Sequence, residues 1–190
     1  MNDYGIARDN ALKLLEQYLH QENLRKHCLA TEAVMRGLAK RLDQDEEMWA
    51  LAGLLHDLDY NETKDDITRH GLVTAKILEE KGVRGEIIDA IKAHNAENLG
   101  ITRTKPIHFA ITAGETITGL IVATTLIYPD KKIKSVKPKS IVKRMGETSF
   151  ARNVSRSKIM LCEKLGLALP DFVNICLNSM AEIDKDLGLV

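Results

Sequence analysis

Cysteine is scarce in this chain, which has three cysteines among 190 residues. Cys28, Cys162 and Cys176 form neither a CxxC pair nor an even disulfide framework. We therefore interpret each as a small apolar residue in a reduced compartment. The N-terminus also lacks a basic region followed by an apolar run. No signal peptide is expected, and the predicted location is cytoplasmic.

Sustained alternation of apolar and polar residues is absent as well, whereas helical periodicity runs through nearly the whole sequence. The fold class predicted from this pattern is all-α. We expect a helical core over residues 1–128 and a helical C-terminal extension over 129–190, packed on that core. The predicted helices span about residues 3–20, 22–42, 45–57, 68–81, 84–98, 107–128, 155–165 and 170–187.

Long apolar runs are limited to one stretch, Ile107 to Tyr128. The stretch contains His108, Glu115 and five threonines. A membrane span would place Glu115 in lipid at a cost of several kcal/mol. A central buried helix is therefore predicted, and no membrane association is expected.

Net charge is also lacking, since the formal value is +0. The overall field therefore indicates neither a nucleic-acid nor a membrane partner. Basic residues nevertheless concentrate in the segment 131–158, where only Glu147 opposes them. The segment is interpreted as a solvated face or lid, or as a surface that attracts an anionic substrate or RNA. Phe150 is its one aromatic residue, which argues against a stacking surface for single strands.

Several potential metal ligands fall on apolar helix faces or at buried helix ends. They are His27, His56, Asp57, His70, His94 and Glu115. A lone histidine in such a place is usually a hydrogen-bonded core residue, but here five helices each contribute one or two ligands. Imidazole and carboxylate together suit Zn, Mn, Fe, Co or Ni, and helix bundles often build such sites from facing side chains.

The order His27, His56-Asp57, His70, His94 and a later acid resembles the HD-domain metal-dependent phosphohydrolases. The resemblance covers about residues 22–128 and implies an all-helical HD-domain bundle. Histidines at the positions of His70 and His94 occur in members that bind two metals. Glu115 stands where the family usually has aspartate. Leu58-Asp59 follows the His-Asp doublet, which argues against the cyclic-dinucleotide phosphodiesterases, where Ile-Gly follows it.

The resemblance implies one or two divalent transition-metal ions and a hydroxide that attacks phosphorus. One ion is expected on His27, His56, Asp57 and Glu115, and the second on Asp57, His70 and His94. The predicted catalytic residues are Asp57 and Asp59, the latter by orienting a ligand or a water. Sequence proximity further suggests three phosphate anchors, Lys64, Arg69 and Arg84.

The implied activity is hydrolysis of a phosphoester in a small phosphorylated molecule, with a nucleotide as the expected substrate. Two alternatives share the same ligands: a metal- and nucleotide-binding regulatory module without turnover, and a di-iron oxygenase of the same fold. Nucleic acid is not the expected partner. The sequence leaves open the metal, the number of ions and whether the chain forms a homo-oligomer.

Overall fold

A computed structural model describes residues 3–190, and within this range the chain forms helices joined by turns, without a β-strand. The all-α prediction is therefore confirmed. The α-helices are α1 (Arg8–Tyr18), α2 (Glu22–Arg41), α3 (Glu46–Leu55), α4 (Tyr60–Thr63), α5 (Leu72–Glu80), α6 (Gly85–His94), α7 (Ala96–Leu99), α8 (Pro106–Leu126), α9 (Pro138–Met145), α10 (Arg156–Ile159), α11 (Leu169–Glu182) and α12 (Asp184–Leu187). Two 3-10 helices cover Ile133–Ser135 and Met160–Leu165.

Helix α8 is the central helix of the fold. Apolar residues lie on most of its sides, which is typical of a buried helix, and it packs on α2, α6 and the 3-10 helix Met160–Leu165. Among residues 3–190 it is the one helix long and apolar enough to cross a membrane, and 61% of its most apolar window is buried inside the protein. These contacts confirm the prediction of a buried core helix.

The C-terminal helices complete the same hydrophobic core. Helix α11 packs on α2 and α8, and its Phe172 belongs to one core cluster with Trp49 of α3. Both side chains are at most 1% exposed. The residues before and after position 128 therefore share one interior, while the boundary placed there stays a prediction.

The helices begin and end where capping residues and turns allow, and not always where the hydrophobic periodicity predicts. Asp45, a predicted cap, accepts a hydrogen bond from the backbone N–H of Met48 at 2.9 Å and begins α3. The short helices α4 and α9 were not among the predicted elements. The predicted helix over residues 68–81 begins only at Leu72, so His70 lies in the preceding turn and not in a first helical turn.

Candidate metal centre

The site begins where α2 and α3 approach closely. Gly53 permits this contact, because a Cβ atom at that position would lie 2.8 Å from the carbonyl oxygen of Thr31. The approach brings the imidazole of His27 on α2 to that of His56 at the end of α3. Their Nε2 atoms are 3.2 Å apart.

Asp57 lies between two groups of histidines. Its Oδ2 is 3.8 Å from Nε2 of His27, and its Oδ1 is 3.4 Å from Nε2 of His56. The same Oδ1 is 3.2 Å from Nε2 of His70 and 3.7 Å from Nε2 of His94. Asp57 therefore belongs to both groups of three that could hold a metal ion, one with His27 and His56 and one with His70 and His94.

His70 reaches the site from a turn whose shape depends on Gly71. This glycine has φ +85°, a left-handed conformation that L side chains rarely adopt. Its N–H donates to Oδ2 of Asp59 at 2.8 Å, while Nδ1 of His70 lies 2.8 Å from Oδ1. Asp59 is 2% exposed. It thus holds the turn and the imidazole together, as expected for a residue that orients a ligand.

His56 and His94 make the same local hydrogen bond at the ends of their helices. Nδ1 of His56 donates to the carbonyl of Gly53 at 2.8 Å, and Nδ1 of His94 donates to the carbonyl of Ile91. Each bond satisfies a carbonyl of a last helical turn. It also leaves Nε2 of each ring directed at the site.

His27 is oriented by Thr118 of α8. Its Nδ1 is 3.0 Å from Oγ1 of Thr118, and that hydroxyl donates its own proton to the carbonyl of Glu115 at 2.7 Å. The hydroxyl therefore accepts from Nδ1–H of His27. All four imidazoles thus have Nδ1 engaged elsewhere and Nε2 directed inward, the tautomer of a metal-ligating histidine.

The crowding of these Nε2 atoms fits a cation. Nε2 of His70 and Nε2 of His94 are 2.8 Å apart, a distance at which two facing lone pairs would repel each other unless a proton or a cation lies between them. Burial and the neighbouring His56 lower the pKa of His27 to about 4 and that of His94 to about 3. Both rings are therefore neutral near pH 7, which is the state that metal binding requires of a histidine.

The pKa values of Asp57, His70 and Glu115 are shifted in different directions. Although burial alone would raise it, the neighbouring histidines hold the pKa of Asp57 well below its usual range. Burial lowers the pKa of His70, but the carboxylates of Asp57 and Asp59 outweigh it and raise that pKa to about 10. Burial raises the pKa of Glu115. Asp57 is thus the anionic ligand available to both groups.

Glu115 lies at the edge of this arrangement. Its Oε2 is 4.0 Å from Nε2 of His27, and its Oε1 accepts a hydrogen bond from Thr116 at 2.6 Å. It is a member of neither group of three. Its role as a metal ligand stays a prediction. Of the histidines, it lies beside His27.

Two of the predicted phosphate anchors have ion-pair partners, and the third is exposed. Arg84 precedes the first residue of α6, whereas His94 is its last, and the guanidinium of Arg84 pairs with Glu86 at 3.0 Å. Arg69 is exposed and pairs with Glu62 at 2.5 Å. Lys64 is exposed at the end of α4. Arg84 and His94 therefore lie at opposite ends of α6.

Lys158 is a basic residue that the structure places beside His27 and Glu115, and sequence reasoning did not single it out. It lines a cleft of about 270 Å³ together with His27, Glu115 and Ser155. Its Nζ donates to the carbonyl of His94 at 3.5 Å, which suits a cation at a helix C-terminus. Its membership of the basic segment 131–158 was the only sequence signal.

Other basic residues of that segment have structural partners. Arg156 donates to the carbonyls of Ala151, Val154 and Phe150. Arg144 pairs with Glu147 and lies 4.6 Å from the ring centre of Phe150. The segment is therefore a folded support from which Lys158 extends toward the histidines.

A family model matches about half of this chain. It is described as HD domain, and it covers residues 24–119, which are 96 of the 190 residues. The matched range begins just before His27 and ends just after Glu115, so it contains every predicted metal ligand.

Proposed function

Because the chain belongs to the HD domain family, whose members are generally metal-dependent hydrolases, we propose that it hydrolyses a phosphoester in a small molecule. One observation carries the proposal. Four imidazole Nε2 atoms surround the carboxylate of Asp57, which is shared by two groups of three potential ligands.

The residues present fit divalent transition-metal ions in both number and chemistry. Neutral imidazoles with an anionic carboxylate suit Fe, Mn, Co, Ni or Zn. His27, His56 and Asp57 would hold one ion, and Asp57, His70 and His94 the second. Bound ions supply a lowered pKa for water and a positive charge opposite the phosphoryl oxygens.

The chain's own residues do the remaining work in this proposal. Asp59 and Thr118 fix the rings of His70 and His27, so the ligands are arranged before an ion or substrate arrives. Lys158 lies beside the opening at His27 and Glu115. We assign it the contact with a phosphoryl oxygen that was expected of Lys64, Arg69 or Arg84, because an ammonium there offsets phosphate charge.

The identity of the substrate beyond a phosphoester stays a prediction, and a nucleotide is the expectation from the sequence. The regulatory module and the oxygenase would use the same ligands, so the test must separate them. Saturable nucleotide binding without product would favour the module, and oxygen consumption with a mixed-valence iron signal would favour the oxygenase.

The proposed function is tested by metal analysis of the purified chain and by phosphate release from nucleotides and a generic aryl phosphate. Wild-type protein should hold metal and release phosphate or a smaller phosphoester. Asp57→Ala and the more conservative Asp57→Asn should lose both properties with an unchanged circular dichroism spectrum. Asp65→Asn, an exposed change in the same part of the chain, is the control. Full activity in a folded Asp57→Asn variant would overturn the proposal.

A further inference from the structure

The metal centre is most exposed on the side of the cluster where His27 and Glu115 lie. Their side chains are 26% and 18% exposed, whereas those of His56 and His94 are 1% and 5% exposed. The most accessible approach to the centre for a substrate therefore passes over His27.

Two clefts meet at this opening. The first contains Lys158 and Glu115, and the second, of about 350 Å³, lies between α2, α8 and the C-terminal residues Leu187 and Leu189. His27 and Gly119 line both clefts. A molecule with its phosphoryl group near Lys158 can thus extend its other end across His27 into the second cleft.

The lining of the second cleft is aliphatic. Its apolar side chains are Ala30, Val122, Ala123, Leu126, Leu187 and Leu189. None of the described residues that line it is Phe, Tyr or Trp, and its one ring is the imidazole of His27. Thr118 holds that ring with Nε2 toward Asp57, so the cleft offers a nucleobase no ring besides the proposed metal ligand. Its Thr118 hydroxyl is already bonded to His27 and to the carbonyl of Glu115, which leaves Asn23 and Lys26 as the polar side chains that could read a base edge.

We propose that this second cleft binds an aliphatic group of the substrate, so that the phosphoester is an alkyl phosphate and not a nucleotide. The inference rests on the proposed function, since the cleft adjoins the proposed metal centre. Its size is that of a small-ligand site. Burial of each methylene in an aliphatic cleft increases affinity by about fourfold.

The test is calorimetric binding of non-hydrolysable alkylphosphonates, from methyl to hexyl, to the full chain supplied with Mn²⁺. Affinity should rise about fourfold with each added methylene until the cleft is filled.

Ala123→Leu fills the cleft and should abolish the dependence on chain length. Ala33→Leu fills a different cleft, between α2 and α11, and should leave that dependence unchanged. Leu126→Gln, at a half-exposed position, is a second variant that should reduce the dependence if Ala123→Leu does not fold.

An affinity that does not change with chain length, or tighter binding of adenosine monophosphate than of hexylphosphonate, would overturn the inference. Phosphate release from alkyl phosphates, measured in parallel, separates the two proposals. Length-dependent binding without any turnover supports the aliphatic cleft and contradicts hydrolysis. Turnover whose KM is the same for methyl and hexyl phosphate supports hydrolysis and contradicts the cleft.

Discussion

Asp59 accepts a hydrogen bond from Nδ1 of His70 at 2.8 Å from a position that is almost fully buried. The bond directs Nε2 of His70 toward Asp57, 3.2 Å away. The orientation of one predicted ligand thus depends on a residue that does not face the centre itself.

Asp59→Asn should therefore weaken metal binding without removing a ligand. The amide keeps the shape of the side chain but loses the negative charge opposite His70. We expect about a 10- to 100-fold loss of metal affinity, the usual effect of losing such a partner. Metal titration by calorimetry measures it, with the exposed Asp65→Asn as control. An affinity equal to that of wild type would show that Asp59 only supports the turn.

Thr118→Val should affect one metal position more than the other. Valine has a similar shape but lacks the hydroxyl that accepts from His27, and His27 belongs to only one of the two groups of three. We expect about a tenfold weaker affinity for one equivalent of metal. Thr124→Val is the matched control, because Thr124 is buried on the same helix and bonds the carbonyl of Leu120. An equal decrease in affinity for both equivalents of metal would contradict the assignment of His27 to one metal position.

Lys158→Met should reduce kcat/KM for a phosphoester by about 10- to 100-fold, the effect of losing a hydrogen bond to a charged group. Methionine keeps much of the side-chain length but has no charge. Lys139→Met removes a charge from an exposed position of the same segment and serves as control. Steady-state kinetics with both variants provides the measurement. Equal, small losses in both would indicate general attraction by the basic segment and not a contact at the site.

Gly53→Ala should destabilise the fold. The added methyl group would lie 2.8 Å from a backbone oxygen of α2, so α2 and α3 must move apart. We expect a decrease of about 1–3 kcal/mol in the free energy of unfolding in urea. Gly85→Ala is the control, since no atom lies within 4 Å of its added Cβ, and it should be neutral or slightly stabilising. A Gly53→Ala protein as stable as wild type would argue against the close helix contact.

The ion pair between Glu97 and Arg103 should stabilise the fold at neutral pH and lose this effect in acid. Arg103 donates to Glu97 at 2.6 and 2.8 Å and lowers its pKa from an ordinary value of 4.5 to about 2. A lowered folded-state pKa contributes stability that is present above pH 4.5 and is lost as pH falls toward 2. The difference in unfolding free energy between wild type and Glu97→Gln should therefore be constant above about pH 5 and shrink toward pH 2. A difference that grows on acidification would contradict this pairing.

The sequence predicted the helical fold and the apolar α8 because helical periodicity persists over many residues there. It did not predict that His70 lies in a turn, since the left-handed conformation of Gly71 depends on hydrogen bonds to Asp59, twelve positions earlier. It also did not indicate Lys158, because the approach of the C-terminal extension to α8 is a tertiary contact. Arg84 shows the converse error, since a basic residue near the ligands in sequence lies at the far end of its helix.

The ligand set was predicted from polar residues on apolar helix faces and at buried helix ends, and its division between two ions from the resemblance to a family. The structure brings His27, His56, Asp57, His70 and His94 together. Glu115 was the least regular member of the family's order, and it lies at the edge of the group. Their roles in metal binding remain the prediction on which the proposed chemistry depends.

Anomalous X-ray diffraction from crystals of the purified chain, recorded on both sides of the Mn, Fe, Co, Ni and Zn edges, tests that prediction most directly. The account predicts an anomalous peak in contact with Asp57 and with Nε2 of His27 and His56, and a second in contact with Asp57, His70 and His94. Crystals grown with these metals that show no peak there, with the imidazoles bonded only to one another, would contradict it.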